Sequence, residues 1–210
     1  MPNCNPNVYR TPFSAAYWRD AVNDFKKLRT LIFAALMVAA CIALAQIPSI
    51  PINDGVRVTW GFLARSVCAL VGGPVTALVF GFVEDTVSFL IHPTGPYFPG
   101  YTLTTMIGTF LYALFLYRAK VTVLRVFLAK LTTNAMNVVL GSLWSAILYS
   151  KGYLYYMTTS LVKNTLMLPV QTIMLVLLFG ALLPILSRAG FLPEQGGGRL
   201  ALYRHSHETA

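Results

Sequence analysis

Acidic residues are scarce in this chain: Asp and Glu number 7 against 16 Lys and Arg, and charged residues make up only 11% of the sequence. A water-soluble domain of this length needs more charge than that to cover its surface, so a soluble enzyme or carrier is excluded. Cysteine is scarce too. Cys4, Cys41 and Cys68 are odd in number, with no C-x-x-C and no Cys/His cluster, which removes a disulfide framework and a zinc site. Histidine is limited to His92 and two residues near the end, His205 and His207. No H-E-x-x-H, no G-x-S-x-G and no G-x-x-x-x-G-K-[ST] is present, so nothing here binds a catalytic metal, presents a nucleophile or cradles ATP phosphates in those ways. No internal repeat of the kind that builds many secondary transporters is visible. The apolar run after Arg29 is too long for a leader and has no small-residue cleavage site behind it, so it reads as a retained span.

What remains is apolar. Hydrophobic residues make up 56% of the chain and aromatics 13%, with a mean hydropathy of +0.64. That surplus needs a bilayer for solvent. The predicted fold class is an all-α integral membrane protein with six transmembrane helices, at residues 28–47, 58–71, 75–91, 103–117, 124–149 and 157–186. Pro48, the run Gly72–Gly73–Pro74 and Pro93 punctuate them. Residues 1–27 form an N-terminal segment in which Ser14 to Leu28 suits a short amphipathic helix on the headgroups. Residues 28–186 are the membrane domain, and 187–210 a polar, Gly-rich tail.

The basic residues set an orientation rather than a nucleic-acid surface, since they form no stripe interleaved with aromatics. With six spans, one side holds Arg10, Arg19, Lys26, Lys27, Arg29, Arg118, Lys120, Arg125, Arg188, Arg199 and Arg204, and the other only Arg57 and Lys151. The positive-inside bias then places both termini in the cytoplasm of a multi-pass protein of the cell membrane.

Charges inside spans are costly, roughly 2.5–3.5 kcal/mol each on insertion scales, and face a bundle interior or a partner. Here they are Arg65, Glu84, Asp85, Lys130 and Lys163, with His92 at a span's end. Arg65 and Asp85 lie at similar depth, with Glu84 the competing partner; the pair either fixes helix packing or leaves Arg65 a face for an anionic ligand. Lys163, Met167 and Gln171 recur every four residues, so a cation and an amide share one face of the last span, with Pro169 loosening the ladder between them. Lys130, Asn134, Asn137, Gly141 and Trp144 form a second polar stripe, which either ties helices together or offers amides and an indole shelf to a ligand. The loop H-P-T-G-P-Y-F-P-G-Y-T-L places Tyr97, Phe98, Gly100 and Tyr101 among stiffening prolines, as a gate or an aromatic belt. Ala35, Ala39 and Ala43 form a ridge that lets another helix approach closely.

Several of these segments resemble the folate-specific S components of energy-coupling factor (ECF) transporters. They are G-P-V-x-A-L-V-F-G-F-V-E-D (73–85), P-T-G-P-Y-F-P-G-Y-T-L (93–103), L-W-S-A-I-L-Y (143–149), K-N-T-L-M-L-P-V-Q (163–171) and R-V-T-W-G-F-L (57–63), the last similar to the segment that opens the family's second helix. The resemblance implies a six-helix S-component bundle that binds a folate. The family docks on a transmembrane scaffold subunit through the ridge at Ala35, Ala39 and Ala43, with ATP hydrolysed by two partner ATPases and no cofactor of its own. It further suggests Trp60, Tyr97, Tyr101 and Trp144 for the ligand's rings, Arg57, Arg65 and Lys163 for its anions, and Asn137, Asn164 and Gln171 for its pterin edges. Two positions depart from the family pattern: Ser160 where an Arg is common, and Gly141 where an Asn often stands. The open alternatives are another heteroaromatic vitamin on the same fold, or a membrane scaffold or channel whose polar groups only join helices.

Overall fold

The computed structural model describes residues 14–47, 50–53, 56–58, 60–91, 97–148 and 152–192. Six helices account for almost all of it: α1 (Ala15–Phe25), α2 (Leu28–Gln46), α3 (Gly61–Ile91), α4 (Pro99–Leu116), α5 (Val123–Leu148) and α6 (Tyr153–Arg188). Four of them, α2, α3, α5 and α6, are long and apolar enough to cross a membrane.

Helix α3 is two passes rather than one. Arg65 and Glu84 meet at 3.0 Å although 19 residues separate them, a distance of about 28 Å along a straight helix at 1.5 Å per residue. The chain therefore folds back between them. Gly73 makes the turn, with φ 76° and ψ −178°, a conformation that residues with a Cβ rarely adopt. A Cβ there would also lie 2.9 Å from the Tyr117 ring. With α2, α4, α5, α6 and the two arms of α3, the bundle makes the six passes expected.

Several boundaries differ from the sequence reading. Val58 does not open a helix, which begins at Gly61: it ends strand β2 (Val56–Val58), antiparallel to β1 (Ile50–Asn53), with Ile50 opposite Val58 and a bulge between Pro51 and Asn53. The alternation of Ile and Val around Asn53–Asp54–Gly55 is a hairpin signal that the neighbouring prolines obscured. Helix α4 begins at Pro99 rather than Leu103, because proline is suited to a helix's first position, where no N–H partner is needed. Helix α6 runs 36 residues, past both predicted ends, and at about 54 Å it exceeds the hydrocarbon thickness even though Pro169 and Pro184 lie inside it.

The central core joins α3, α4, α5 and α6 through Leu70, Tyr112, Leu116, Val126, Leu175 and Phe179. Helix α2 attaches at the side, with Cys41 packed on Ala64, Cys68 and Phe80 of α3. In lipid these contacts hold by close packing, since apolar helices gain little by leaving apolar solvent.

One end of the bundle is basic and closely tied. The start of α2 meets the end of α6 there: Arg29 donates to the Ala189 carbonyl and stacks over Phe191. Helix α1 lies across the same end with Tyr17, Ala21 and Asp24 turned inward, and Trp18 stacks on Phe110 of α4. Arg118, at the corner between α4 and α5, is left-handed at φ 48°, which costs about 1–2 kcal/mol. Ion pairs to Asp20 (2.6 Å) and Asp24 (2.9 Å) offset that. Tyr117 donates to Asp24 at 2.6 Å. Burial alone would raise the Asp24 carboxyl, but bonds from Lys27, Tyr117 and Arg118 outweigh it and hold the group below its usual range. Burial, then Asp24 itself, pushes the Tyr117 phenol up.

Candidate functional site

At the opposite end, aromatic side chains gather over the bundle. Phe98 lies 5.6 Å from Trp144 and 6.1 Å from Tyr101, and Tyr97 lies 5.1 Å from Phe89. Hydroxyls pin these rings: Trp144 Nε1 donates to Thr104 at 2.9 Å, and Tyr101 and Ser145 share a bond of 3.0 Å. Gly100 lets the group close, because a Cβ on it would sit 2.6 Å from the indole. Three separate predictions, Phe98, Tyr101 and Trp144, thus belong to one cluster built by α4 and α5, while Tyr97 packs apart from them on Phe89 of α3. The indole of Trp144 faces Phe98 and Gly100, while Gly141 borders open space, with nothing within 4 Å of a Cβ placed there. Thr104 and Ser145, which orient the rings, escaped the sequence reading; Ser145 lies in a segment that carries the family resemblance, and Thr104 directly follows one.

Below the rings, two acidic neighbours serve different partners. Arg65 binds Glu84 with two parallel bonds of 3.0 Å, from Nε and Nη2. Asp85 instead accepts from Thr102 at 2.7 Å and Thr105 at 3.1 Å. Adjacent residues on a helix point about 100° apart, so the two carboxylates cannot face one guanidinium. The choice between Asp85 and Glu84 therefore resolves to Glu84. Glu84 is almost wholly enclosed, with 4% of its side chain accessible, whereas Arg65 keeps 34% and has a third nitrogen without a partner among the described residues. A bidentate pair that fixes the arms of α3 leaves Arg65 a face for a ligand anion as well.

Further interior groups are also unpartnered among the described residues. Gln171 is buried, 9% exposed, and its amide has no bond; Trp60 Nε1 is buried without an acceptor. Lys163 is half-buried with no ion pair. The asparagines behave differently. Asn137 is exposed and its amide returns to the Thr133 carbonyl of its own helix, whereas Asn134 is buried and donates to the Asn164 carbonyl across α5 and α6. Asn134 is thus the inward member of the stripe, a distinction three residues of spacing cannot make. The Asn164 amide turns to the Ser160 carbonyl at 2.9 Å, at the position that departs from the family pattern. Ala35, Ala39 and Ala43 all lie on the exposed face of α2. The side chain of Arg57, His92 and residues 93–96 of the proline loop, Lys151, and the tail beyond 192 lie outside the described residues. No three His, Cys, Asp or Glu side chains gather as a metal site among those described.

No protein-family model matches the chain. Curated relatives do. The folate transporter FolT of Clostridium novyi is 33% identical over 151 residues, 71% of this chain and 87% of the relative. The folate transporter FolT of Leuconostoc mesenteroides is 27% identical over 156 residues, covering 70% and 83%. Among solved structures, a crystal structure of FolT bound with folic acid superposes with a TM-score of 0.63 at 24% identity, over 71% of this chain and 91% of that one. With a polar interior roofed by aromatic rings, six helical passes and this degree of similarity, the chain belongs to the folate transporter FolT family, the folate-specific S components.

Proposed function

We propose that this chain captures a folate between α3, α5 and α6, beneath the rings of Tyr101 and Trp144, and hands it to an ATP-driven ECF module for import. The observation that carries this reading is the set of interior donors with nothing to bind: the third nitrogen of Arg65, Trp60 Nε1 and the Gln171 amide. Of these, Trp60 Nε1 is sealed from solvent, where an unmet donor costs roughly 1–3 kcal/mol, while Arg65 keeps 34% of its side chain accessible for a ligand. A folate has the complement: carboxylates for Arg65 and Lys163, a pterin edge for Gln171, and flat rings for the aromatic roof. The positive-inside rule orients the bundle, with the basic end and both termini in the cytoplasm and the aromatic roof outside. The chain has no cofactor of its own. A scaffold subunit docks on the exposed face of α2 at Ala35, Ala39 and Ala43, and its two ATPases hydrolyse ATP.

The test is a titration of the purified chain in detergent with folic acid, followed by tryptophan fluorescence. Saturable quenching at submicromolar ligand, weakened at least tenfold in Lys163→Ala, is expected. Tight binding of thiamine or riboflavin instead would move the chain to another vitamin. Ala39→Leu should leave that titration unchanged and abolish folate uptake by cells; loss of both would remove the docking role.

A further inference from the structure

Lys130 lies deep in the bundle without a counter-ion among the described residues. It is 5% exposed, seven residues into α5 from the basic end, or about 10 Å along the axis. A lysine so close to an interface commonly bends its stem back to the headgroups. This one does not: its ammonium sits 4.6 Å over the ring of Phe62, on the first arm of α3. The two interior carboxylates are already engaged. Both Glu84 oxygens receive Arg65, and both Asp85 oxygens receive threonine hydroxyls. Asn134, one turn along the same face, donates its amide N–H to the Asn164 carbonyl, and the Thr133 hydroxyl donates to the Ala129 carbonyl, so neither bond involves Lys130. Among the described residues Lys130 has no hydrogen bond or ion pair, only the aromatic face. The spans hold three basic side chains, Arg65, Lys130 and Lys163, and two acidic ones, Glu84 and Asp85, so the bases outnumber the acids by one.

We infer that Lys130 is a ligand-facing cation whose ammonium is completed by an acceptor oxygen of the bound molecule. The inference rests on the folate reading and extends it to a residue outside the predicted site. Phe62 below the ammonium fixes its direction while supplying no lone pair, so the donors stay available. A folate offers two kinds of suitable oxygen: the glutamate carboxylates at one end and the 4-oxo group of the pterin at the other. Either would end the unpaired state of a buried charge, which an interior of low dielectric penalises heavily.

The experiment compares wild type, Lys130→Met and Lys130→Arg, each as the full chain in detergent. The ligands are folic acid, pteroic acid, which lacks the glutamate, and aminopterin, in which an amino group replaces the 4-oxo. Lys130→Met is expected to weaken folic acid binding roughly ten- to hundredfold, and Lys130→Arg to weaken it less. If the glutamate is the partner, the wild-type preference for folic acid over pteroic acid collapses in Lys130→Met. If the 4-oxo group is the partner, the preference over aminopterin collapses instead. Unchanged ratios for both pairs overturn the inference and leave the folate reading intact; a wild type that binds none of the three overturns both. The melting temperature of ligand-free Lys130→Met should be no lower than that of wild type. Failure of that variant to fold places Lys130 in the scaffold and also overturns the inference.

Discussion

The two ends of this bundle treat polar groups in opposite ways. At the basic end, Asp24 collects Lys27, Tyr117 and Arg118, and Arg118 adds Asp20, so a dense set of charges is matched atom for atom. In the interior toward the other end, Arg65 spares a nitrogen, and Trp60 and Gln171 present donors to nothing among the described residues. Matched networks rigidify a structure; unmatched donors in a low dielectric persist where a ligand completes them. The difference separates what holds the protein together from what it uses.

Substitutions test that division by the size of their effect on the ligand-free protein. The largest should come from the one interior pair that is matched. Glu84→Gln strands the Arg65 guanidinium and should cost about 3 kcal/mol, the lower end for a broken buried pair, because Arg65 retains partial access to solvent. A markedly lower melting temperature is expected; an unchanged one would put Glu84 among the spare groups. A smaller, pH-dependent effect belongs to Asp24. Its carboxyl is held below the ordinary value of 3.8, so the stability it contributes is present in full above about pH 4 and disappears as pH falls through its folded value. Wild type should therefore lose more melting temperature between pH 7 and pH 3 than Asp24→Asn does, and equal losses would refute the assignment. The smallest effect on stability should come from Gln171→Leu, within about 0.5 kcal/mol, since its amide bonds to nothing described. The same variant should bind folic acid several-fold more weakly. A large loss of stability there would erase the contrast between the two ends.

Much of this arrangement was legible in the sequence, for reasons that differ from residue to residue. Gly72–Gly73–Pro74 announced the reversal between the arms of α3, because few other residues can occupy it. The aromatic group was legible as a list but not as a cluster: Phe98, Tyr101 and Trp144 are brought together by α4 and α5 packing through Gly100, and periodicity along one helix carries no information about the next. Arg65 was identifiable as a buried cation, yet its partner was not, since Glu84 and Asp85 are adjacent and only the threonines of α4 decide between them. Asn134 and Asn137 share a stripe by spacing alone. Which one turns inward depends on how α5 is rotated against α6, a tertiary fact. The pairing of β1 with β2 was not legible although Asn53–Asp54–Gly55 is a turn signal, because Pro51 on the first strand argues against a strand.

The bond between Tyr117 and Asp24 spans 93 residues, and this bears on how the protein is made. Translation delivers Asp24 first, with Lys27 already beside it to neutralise its charge. Tyr117 and Arg118 arrive only after α2, both arms of α3 and α4 have been threaded into the bilayer. Closure of the basic cap is thus a late event in biogenesis, available only to a chain whose first four passes were inserted in the right order.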